Sequence, residues 1–324
     1  MLLPALAILV GFILLVWSAD RFVDGAAATA KHMGLPSLLI GMVIVGFGTS
    51  APEMVVSAMA AMDGNPALAL GNGLGSNIVN ISLILGTTAL VAPMVVHSKI
   101  VQKEIPLLIA ISLLTGFFLW DLSLTFVESL ILLAGFFVVI GWSIYTALNS
   151  KNDPLESEFE GQLAEHAMTL GKALFWLALG LAVLIGSSRI LVWGSVEIAQ
   201  QLGVSDLIIG LTIVALGTSL PELAASIVAV KKGEHDIAIG NVIGSNMFNL
   251  LAVIGIAGTI NPMTDLEPEV LWRDWSVMLG LIVMLLVMAY GFGKGHKINR
   301  VKGGILLSAY FAYNAYLIQS VIGA

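Results

Sequence analysis

Two carboxylates stand inside long apolar stretches of this chain, and each directly follows a proline. Glu53 ends the segment GFGTSAPE, and Glu222 ends GTSLPE. An ionisable side chain is expensive to place within a membrane-spanning helix, so it marks a functional site by default. Helical spacing puts hydroxyl residues on the same faces: Thr49 and Ser57 beside Glu53, and Thr218 and Ser226 beside Glu222. The pattern predicts two polar faces, each centred on a carboxylate.

Each proline also disturbs the helix that carries its carboxylate. Proline has no N–H to donate, and its ring crowds the carbonyl four residues earlier, at Gly48 for Pro52 and at Gly217 for Pro221. Irregular backbone within a membrane is tolerated only where it is buried in protein or lines a cavity. Because a cation is a good partner for carbonyl oxygens, we expect both breaks to face a cation site.

A second motif, GNxxGSNxxN, follows each carboxylate, from Gly71 to Asn80 and from Gly240 to Asn249. In each copy a serine and an asparagine share a helical face one turn apart: Ser76 with Asn80, and Ser245 with Asn249. The asparagines near the start of the motif, Asn72 and Asn241, either join the same site or only bridge helices. Together the motifs supply carboxylate, hydroxyl, amide and backbone oxygens.

An all-oxygen site selects the class of ion. Calcium takes about six to eight oxygen ligands in adaptable geometry, whereas magnesium holds its waters tightly and seldom uses an all-protein cage. Zinc and copper prefer histidine or thiolate ligands, but the chain has no cysteine and its five histidines fall outside the predicted spans. Sodium can use the same oxygens as calcium. Two glutamates would repel each other in an empty site, so charge alone favours coupled counter-transport.

The two motif pairs belong to an internal repeat. Residues 36–86 align with residues 205–255 at a constant offset of 169 without a gap, and 21 of the 51 positions are identical. Repeats of inverted topology, with a site at their interface near the bilayer midplane, are a recurring plan of transporters. The repeat therefore predicts that both carboxylates meet at one site between the two halves.

Composition predicts a membrane protein with no soluble domain. Hydrophobic residues make up 58% of the 324 residues and charged residues 11%, against about 25% charged residues in soluble domains. Ten apolar spans are predicted, centred near residues 12, 48, 80, 112, 136, 182, 217, 249, 282 and 312. The predicted fold class is an all-α integral membrane protein with ten transmembrane helices in two inverted five-helix repeats, with helices broken at the midplane. The first repeat covers residues 1–148, an acidic cytoplasmic linker covers 149–170, and the second repeat covers 171–324.

Basic residues predict the orientation of these spans. Lys and Arg accumulate in cytoplasmic loops. The odd-numbered loops hold eleven of them, whereas the even-numbered loops hold only Arg273, and Arg21 and Arg189 lie within spans. The odd loops are therefore predicted to face the cytoplasm, with both termini outside.

At GTSAPE…GSNIVN and GTSLPE…GSNMFN the sequence resembles the sodium/calcium exchanger family of the cation/calcium exchanger superfamily, in its compact prokaryotic form. The resemblance covers almost the whole chain. It implies a multi-pass protein of the prokaryotic plasma membrane that exchanges sodium for calcium by alternating access, with three sodium ions for one calcium. The first and sixth spans would slide across the core. The ligands implied by position are Thr49, Ser50, Glu53, Ser76, Asn80, Thr218, Ser219, Glu222, Ser245 and Asn249, with backbone carbonyls at Gly46 and Ala215.

Three residues set this chain apart from some relatives and bear on the coupling ion. Certain prokaryotic members and the potassium-dependent exchangers have Asp where this chain has Asn249, so the resemblance implies a potassium-independent exchanger. The cation/proton branch typically has Glu where Gly75 and Gly244 stand here, which argues against proton coupling. A calcium/proton antiporter nevertheless stays open as the alternative, because Glu53 and Glu222 could carry protons. A cation channel is a second class, which sodium-coupled, saturating flux would exclude.

No enzymatic activity and no prosthetic group are expected. The sequence has neither a GxSG-type nucleophile with a histidine in the membrane nor an HExxH motif. The expected partners are membrane lipid and the transported sodium and calcium ions. No nucleic acid is expected to bind, and the protein is expected to function as a monomer.

Overall fold

The computed structural model describes residues 2–33, 39–62, 64, 66–96, 100–149, 168–201, 215–290 and 297–322. The helices are α1 (Leu2–Met33), α2 (Ile40–Thr49), α3 (Ala51–Met62), α4 (Pro66–Val79, continued by Asn80–Ile84 and Leu85–Val91), α5 (Ile100–Phe118), α6 (Phe126–Asn149), α7 (Leu170–Gln201), α8 (Ala215–Thr218), α9 (Leu220–Lys231), α10 (His235–Ile260), α11 (Val270–Tyr290) and α12 (Arg300–Ile322). Two short strands, β1 (Met94–Val95) and β2 (Lys297–Ile298), pair antiparallel. The described chain is therefore almost entirely helical.

Seven helices in the described part are long and apolar enough to cross a membrane, or eight if the bent pair α2 and α3 counts as one span. They match the predicted spans except those centred near 217 and 312. Near 217, α8 and α9 are each short, and residues 202–214 lie outside the described residues. Near 312, α12 is long enough to cross a membrane, with 23 residues. Polar residues such as Asn314 and Gln319 make it less apolar than the seven helices above. Most of the predicted acidic linker, residues 150–167, also lies outside the described residues.

Burial separates an inner layer of helices from an outer one. Helix α10 is wholly buried in its apolar stretch and α4 mostly so, whereas α1, α6 and α7 are largely exposed. Large apolar side chains such as Leu9, Phe12 and Ile13 are exposed along α1. Continuous exposed apolar surface of this kind fits contact with lipid hydrocarbon. The inner layer consists of α4 and α10 together with the short helices α2, α3, α8 and α9 that pack on them. It carries the motif residues of both halves.

The long outer helices α1 and α7 pack closely along each other. A Cβ atom built on Gly25 would lie 2.5 Å from the Leu177 nitrogen, and one on Gly180 would lie 2.8 Å from Phe22 Cα. Nearer the other end, a Cβ atom on Gly194 would lie 2.7 Å from the carbonyl oxygen of Pro4. Small residues allow such backbone contact between membrane helices. Because residue numbers rise along α1 as they fall along α7, the two helices run antiparallel.

Several helices contain a π-helical turn, a feature often found at functional sites. The turns span Ile40–Val45, Asn80–Ile84, Ile100–Glu104, Asn249–Val253 and Val270–Trp275. Two of them begin at Asn80 and Asn249, which are predicted ligands and are equivalent positions in the repeat. No residue pattern in the sequence indicated these turns.

An ion-pair cluster joins the end of α9 to α1. The Lys232 ammonium lies 2.6 Å from an Asp20 carboxylate oxygen and 2.7 Å from one of Asp24. Glu234 follows in the turn before α10, and burial together with the nearby Asp236 and Asp24 carboxylates raises its pKa. In this conformation the cluster links α1 to the end of α9.

The contact between α1 and α7 can be tested at Gly25. We expect Gly25→Ala to cost about 1–3 kcal/mol, because its Cβ atom meets backbone that can yield only if the helices separate. The measurement is the melting temperature of the purified protein in detergent. Gly280→Ala is the matched control, since a Cβ atom built there meets no neighbouring group of the described chain within 4 Å. Equal melting temperatures for the two variants would contradict the packing argument.

Candidate functional site

Both proline-containing helices are broken at a serine. Helix α2 ends and α3 begins around Ser50, where φ is −82° and ψ is 0°, and the two helices are bent by 44°. The equivalent break between α8 and α9 is at Ser219, with φ −91° and ψ 6°. A ψ near zero is not helical, and each serine stands two residues before a proline that lacks an N–H donor. The sequence expectation of a break at each proline agrees with the structure.

The two serines cross between the halves to the glutamates. Ser50 Oγ donates to Glu222 Oε1 at 3.1 Å, and Ser219 Oγ donates to Glu53 Oε1 at 3.3 Å. Both glutamates are 1% exposed. Each carboxylate is thus held by the helix break of the other half, which brings Glu53, Glu222, Ser50 and Ser219 together in one buried site.

The threonines of the two motifs lie beside the glutamates. Thr49 Oγ1 lies 3.1 Å from Asn241 Oδ1 and interacts with Glu222, while Thr218 interacts with Glu53. All three of these contacts join the two halves. Thr49 is fully buried, and Thr218 at the end of α8 is partly buried. The structure therefore brings both predicted threonines to the site.

The asparagines near the start of each GNxxGSNxxN motif bridge helices. Asn72 Nδ2 donates to Ser57 Oγ at 3.0 Å, and Asn241 Nδ2 donates to Ser226 Oγ at 2.9 Å. Each amide also donates to the backbone carbonyl oxygen of the glutamate in its own half. Asn241 Nδ2 lies 3.2 Å from the Glu222 carbonyl oxygen. Of the two roles left open by the sequence, these contacts favour the bridging one.

The serines and asparagines at the end of each motif lie on the central helices α4 and α10. Ser245 Oγ donates to the Gly46 carbonyl at 3.3 Å and interacts with Glu222. Asn80 Nδ2 donates to Asn246 Oδ1 at 3.3 Å, and Asn249 Nδ2 donates to Asn77 Oδ1 at 3.1 Å. Ser76 is also buried. Ala215 begins α8, and the structure describes only its backbone.

Sequence reasoning did not separate Asn77 and Asn246 from the rest of the motif. Both are fully buried and contact the predicted ligands across the repeat. The available signal was their recurrence at the same offset of 169, inside GSNxxN. Asparagines that bridge membrane helices follow the same pattern, so their type and spacing alone did not indicate a role.

Several buried oxygens of the site have no hydrogen-bond partner within the described residues. They are Glu53 Oε2, Glu222 Oε2, Ser76 Oγ, Asn80 Oδ1 and Asn249 Oδ1. Buried polar atoms are almost always paired, and leaving one unpaired costs free energy. These five atoms come from both halves, and all can accept a hydrogen bond or bind a hard cation. Among the described residues, no group of three or more His, Cys, Asp or Glu side chains could hold a metal ion. A cation bound here would therefore need hydroxyl and amide oxygens in addition to the two carboxylates.

The family of this protein follows from its similarity to known proteins. A family model described as "Sodium/calcium exchanger protein" matches residues 3–145 and 172–319, which is most of the chain. The chain belongs to this family. Members of the sodium/calcium exchanger family are transporters and not enzymes, so this protein is a multi-pass membrane transporter of the cation/calcium exchange class.

Individual relatives of the sodium/calcium exchanger family cover nearly the whole chain. The protein named "Putative antiporter CaxA" from Alkalimonas amylolytica is 47% identical over 99% of this chain and 100% of its own length. The sodium/calcium exchanger MaX1 from Methanosarcina acetivorans is 29% identical over 95% of this chain and 96% of its own. A solved structure of the sodium-calcium exchanger NCX_Mj, soaked with Na+ and Ca2+, superposes with a TM-score of 0.83 at 29% identity, covering 97% of this chain and 98% of that one.

The glutamates can be tested for binding separately from transport. We expect calcium to raise the melting temperature of the native protein, and we expect Glu53→Gln and Glu222→Gln each to abolish that rise, because each loses a charged oxygen ligand. The measurement is thermal unfolding in detergent over a calcium titration. Glu267→Gln, which changes an exposed glutamate, is the matched control and should keep the full calcium response. Retention of that response by both site variants would place the cation elsewhere.

Proposed function

We propose that this protein is a secondary active antiporter that exchanges sodium for calcium across a prokaryotic plasma membrane by alternating access. The observation that carries the proposal is the set of buried oxygens around Glu53 and Glu222 that have no hydrogen-bond partner within the described part of the chain. The proposed oxygen ligands of the cation are Thr49, Ser50, Glu53, Ser76, Asn80, Thr218, Ser219, Glu222, Ser245 and Asn249, with the Gly46 and Ala215 carbonyls. The site would bind the transported sodium and calcium ions, and transport would need no prosthetic group.

Charge favours exchange over one-way transport at such a site. Glu53 and Glu222 are both buried in this site, and two ionised carboxylates there would repel each other. One calcium ion neutralises both carboxylates, and sodium ions can do so in its place, whereas an empty site leaves the repulsion and the unpaired oxygens uncompensated. The protein would therefore change its exposed side with ions bound. Three sodium ions for one calcium would make the cycle electrogenic.

Sodium is proposed as the coupling ion on the evidence of relatives and of two glycines. MaX1 and NCX_Mj are both named as sodium/calcium exchangers. Gly75 and Gly244 leave each motif without the additional glutamate that the cation/proton branch typically carries. The amide at Asn249, in place of Asp, supports independence from potassium. Proton coupling through Glu53 and Glu222 is the alternative that the transport experiment below distinguishes.

We further propose ten transmembrane helices in two inverted five-helix repeats, residues 1–148 and 171–324, joined by the linker 149–170. Three observations support this architecture. Helices α1 and α7, which begin the two halves, run antiparallel along each other. The Ser50–Glu222 and Ser219–Glu53 contacts are equivalent under the repeat offset. The family model also matches one segment in each half. Helices α1 and α7 would slide over the inner layer, and the protein would work as a monomer.

The proposed topology, with both termini outside, can be tested with single cysteines because the native chain has none. We expect a membrane-impermeant maleimide added to intact cells to label Asp121→Cys, in a loop predicted to be external. It should label Lys231→Cys, in a loop predicted to be cytoplasmic, only after the membrane is permeabilised. Both positions are exposed in the structure. The reverse labelling pattern would overturn the orientation.

The decisive transport measurement is uptake of radioactive calcium into proteoliposomes loaded with sodium and diluted into sodium-free buffer at clamped pH. We expect uptake that requires internal sodium, needs no potassium and increases at an inside-positive potential, because one net positive charge leaves per cycle. Glu222→Gln should lower the rate at least a hundredfold, and Glu267→Gln should not change it. These magnitudes follow from the loss of a charged ligand, on the order of 3 kcal/mol or more.

Two outcomes would contradict the proposal. Calcium uptake that ignores internal sodium but follows a proton gradient would make the protein a calcium/proton antiporter that uses the same two glutamates. Uptake that shows no saturation with calcium and no coupling to any second ion would favour a channel.

A further inference from the structure

Asn77 and Asn246 lie directly behind two of the proposed ligands. Asn249 Nδ2 donates to Asn77 Oδ1 at 3.1 Å, and Asn80 Nδ2 donates to Asn246 Oδ1 at 3.3 Å. All four side chains are at most 1% exposed. The oxygen atoms of Asn80 and Asn249 have no partner among the described residues. Each proposed ligand thus uses its amide nitrogen on a neighbouring asparagine and keeps its oxygen available.

The rotation of the Asn77 amide is fixed by an atom that can only accept. Asn77 Nδ2 donates to the backbone carbonyl of Asn246 at 3.2 Å and also lies 3.4 Å from the Met278 sulfur. A carbonyl oxygen cannot donate, and a thioether sulfur is only a weak acceptor, so the nitrogen of Asn77 must face them. Its oxygen must then face Asn249. Because two oxygens cannot form a hydrogen bond, Asn249 must turn its nitrogen towards Asn77.

We propose that Asn77 is a positioning residue that sets the rotation of the Asn249 amide, so that the Asn249 oxygen and not its NH2 group faces the cation. An amide NH2 carries partial positive charge and offers no lone pair, so the reversed rotation would replace a ligand by a repulsive group. The inference rests on the proposed function, because it assigns a task only if Asn249 binds a transported cation. It adds a determinant of affinity that does not itself touch the ion.

The equivalent pair in the other half lacks this fixed point. Asn246 Nδ2 has no partner among the described residues, whereas Asn77 Nδ2 has the Asn246 carbonyl. The Asn80 and Asn246 amides can therefore reverse together without losing their mutual hydrogen bond. The inference concerns Asn77 and Asn249, where a backbone acceptor determines the order of donors and acceptors.

A double-mutant cycle with Asn77→Ala and Asn249→Asp tests the inference. A carboxylate presents an oxygen in either rotation, so a ligand at position 249 no longer needs orienting once it is aspartate. We expect Asn77→Ala alone to raise the half-saturating calcium concentration about tenfold, with the maximal rate per folded protein within threefold of native. In the Asn249→Asp background, the same substitution should not raise that concentration, because it also removes an oxygen that faces the new carboxylate.

Two readouts make the cycle independent of transport rate. One is the half-saturating calcium concentration for sodium-dependent uptake, and the other is the calcium concentration that gives half of the thermal stabilisation in detergent. Asn314→Ala is the control for the loss of a partly buried amide, since Asn314 donates within its own helix to the Tyr310 carbonyl. It should leave both concentrations unchanged.

The results separate this inference from the proposed function. An equal rise in both backgrounds would mean that Asn77 acts through packing, and no rise in the native background would mean that Asn249 needs no orienting; either overturns the inference. If the native protein showed neither sodium-dependent uptake nor calcium-dependent stabilisation, the proposed function itself would fail. A tenfold rise that disappears in the Asn249→Asp background supports the positioning role.

Discussion

The structure depends on burying two carboxylates next to each other without exposing either to water. An uncompensated buried charge is among the most expensive groups in a protein, and here the compensation comes from the opposite half. Ser50 holds Glu222 and Ser219 holds Glu53, so the breaks in both helix pairs must face one another. The close approach of α2 to α10 follows from this demand. A Cβ atom on Gly244 would lie 2.5 Å from the Met42 carbonyl oxygen, a distance that only glycine permits.

Much of the site could be predicted from residue types and spacing, because the strongest signals are local. Pro52 removes a backbone donor wherever it stands in a helix, and Glu53 needs a polar partner wherever it is buried. The π-helical turns at Asn80 and Asn249 could not be predicted in this way, because a change from i→i+4 to i→i+5 bonding depends on packing between helices. Asn77 was indistinguishable from a bridging asparagine, since its role depends on a backbone carbonyl supplied by the other half of the chain. The family resemblance anticipated the family and the transporter class, which the family model confirmed, and an all-helical membrane fold, which agrees with the similarity to the NCX_Mj structure.

The inner and outer helices meet different physical requirements. The inner helices α4 and α10 carry most of the buried amide and hydroxyl groups, and their hydrogen bonds specify one arrangement of donors and acceptors. The outer helices α1 and α7 meet mainly through glycines and apolar side chains, with the Arg21 guanidinium over the Trp176 ring. The Lys232 ion pairs join α1 to the end of α9. Directional hydrogen bonds therefore concentrate in the inner helices, whereas the contact between the two long outer helices is mainly apolar.

The crossed serine contacts also bear on the origin of the fold. A single ancestral unit would carry one glutamate, one serine at the break and one pair of motif oxygens, and its serine could not reach its own glutamate if the contacts ran as they do here. Such a unit would gain the complete site only by pairing with a second copy. Within one chain each half can differ from the other as long as the crossed contacts persist, and the pair Gly46 and Ala215 is a place where the two halves already differ.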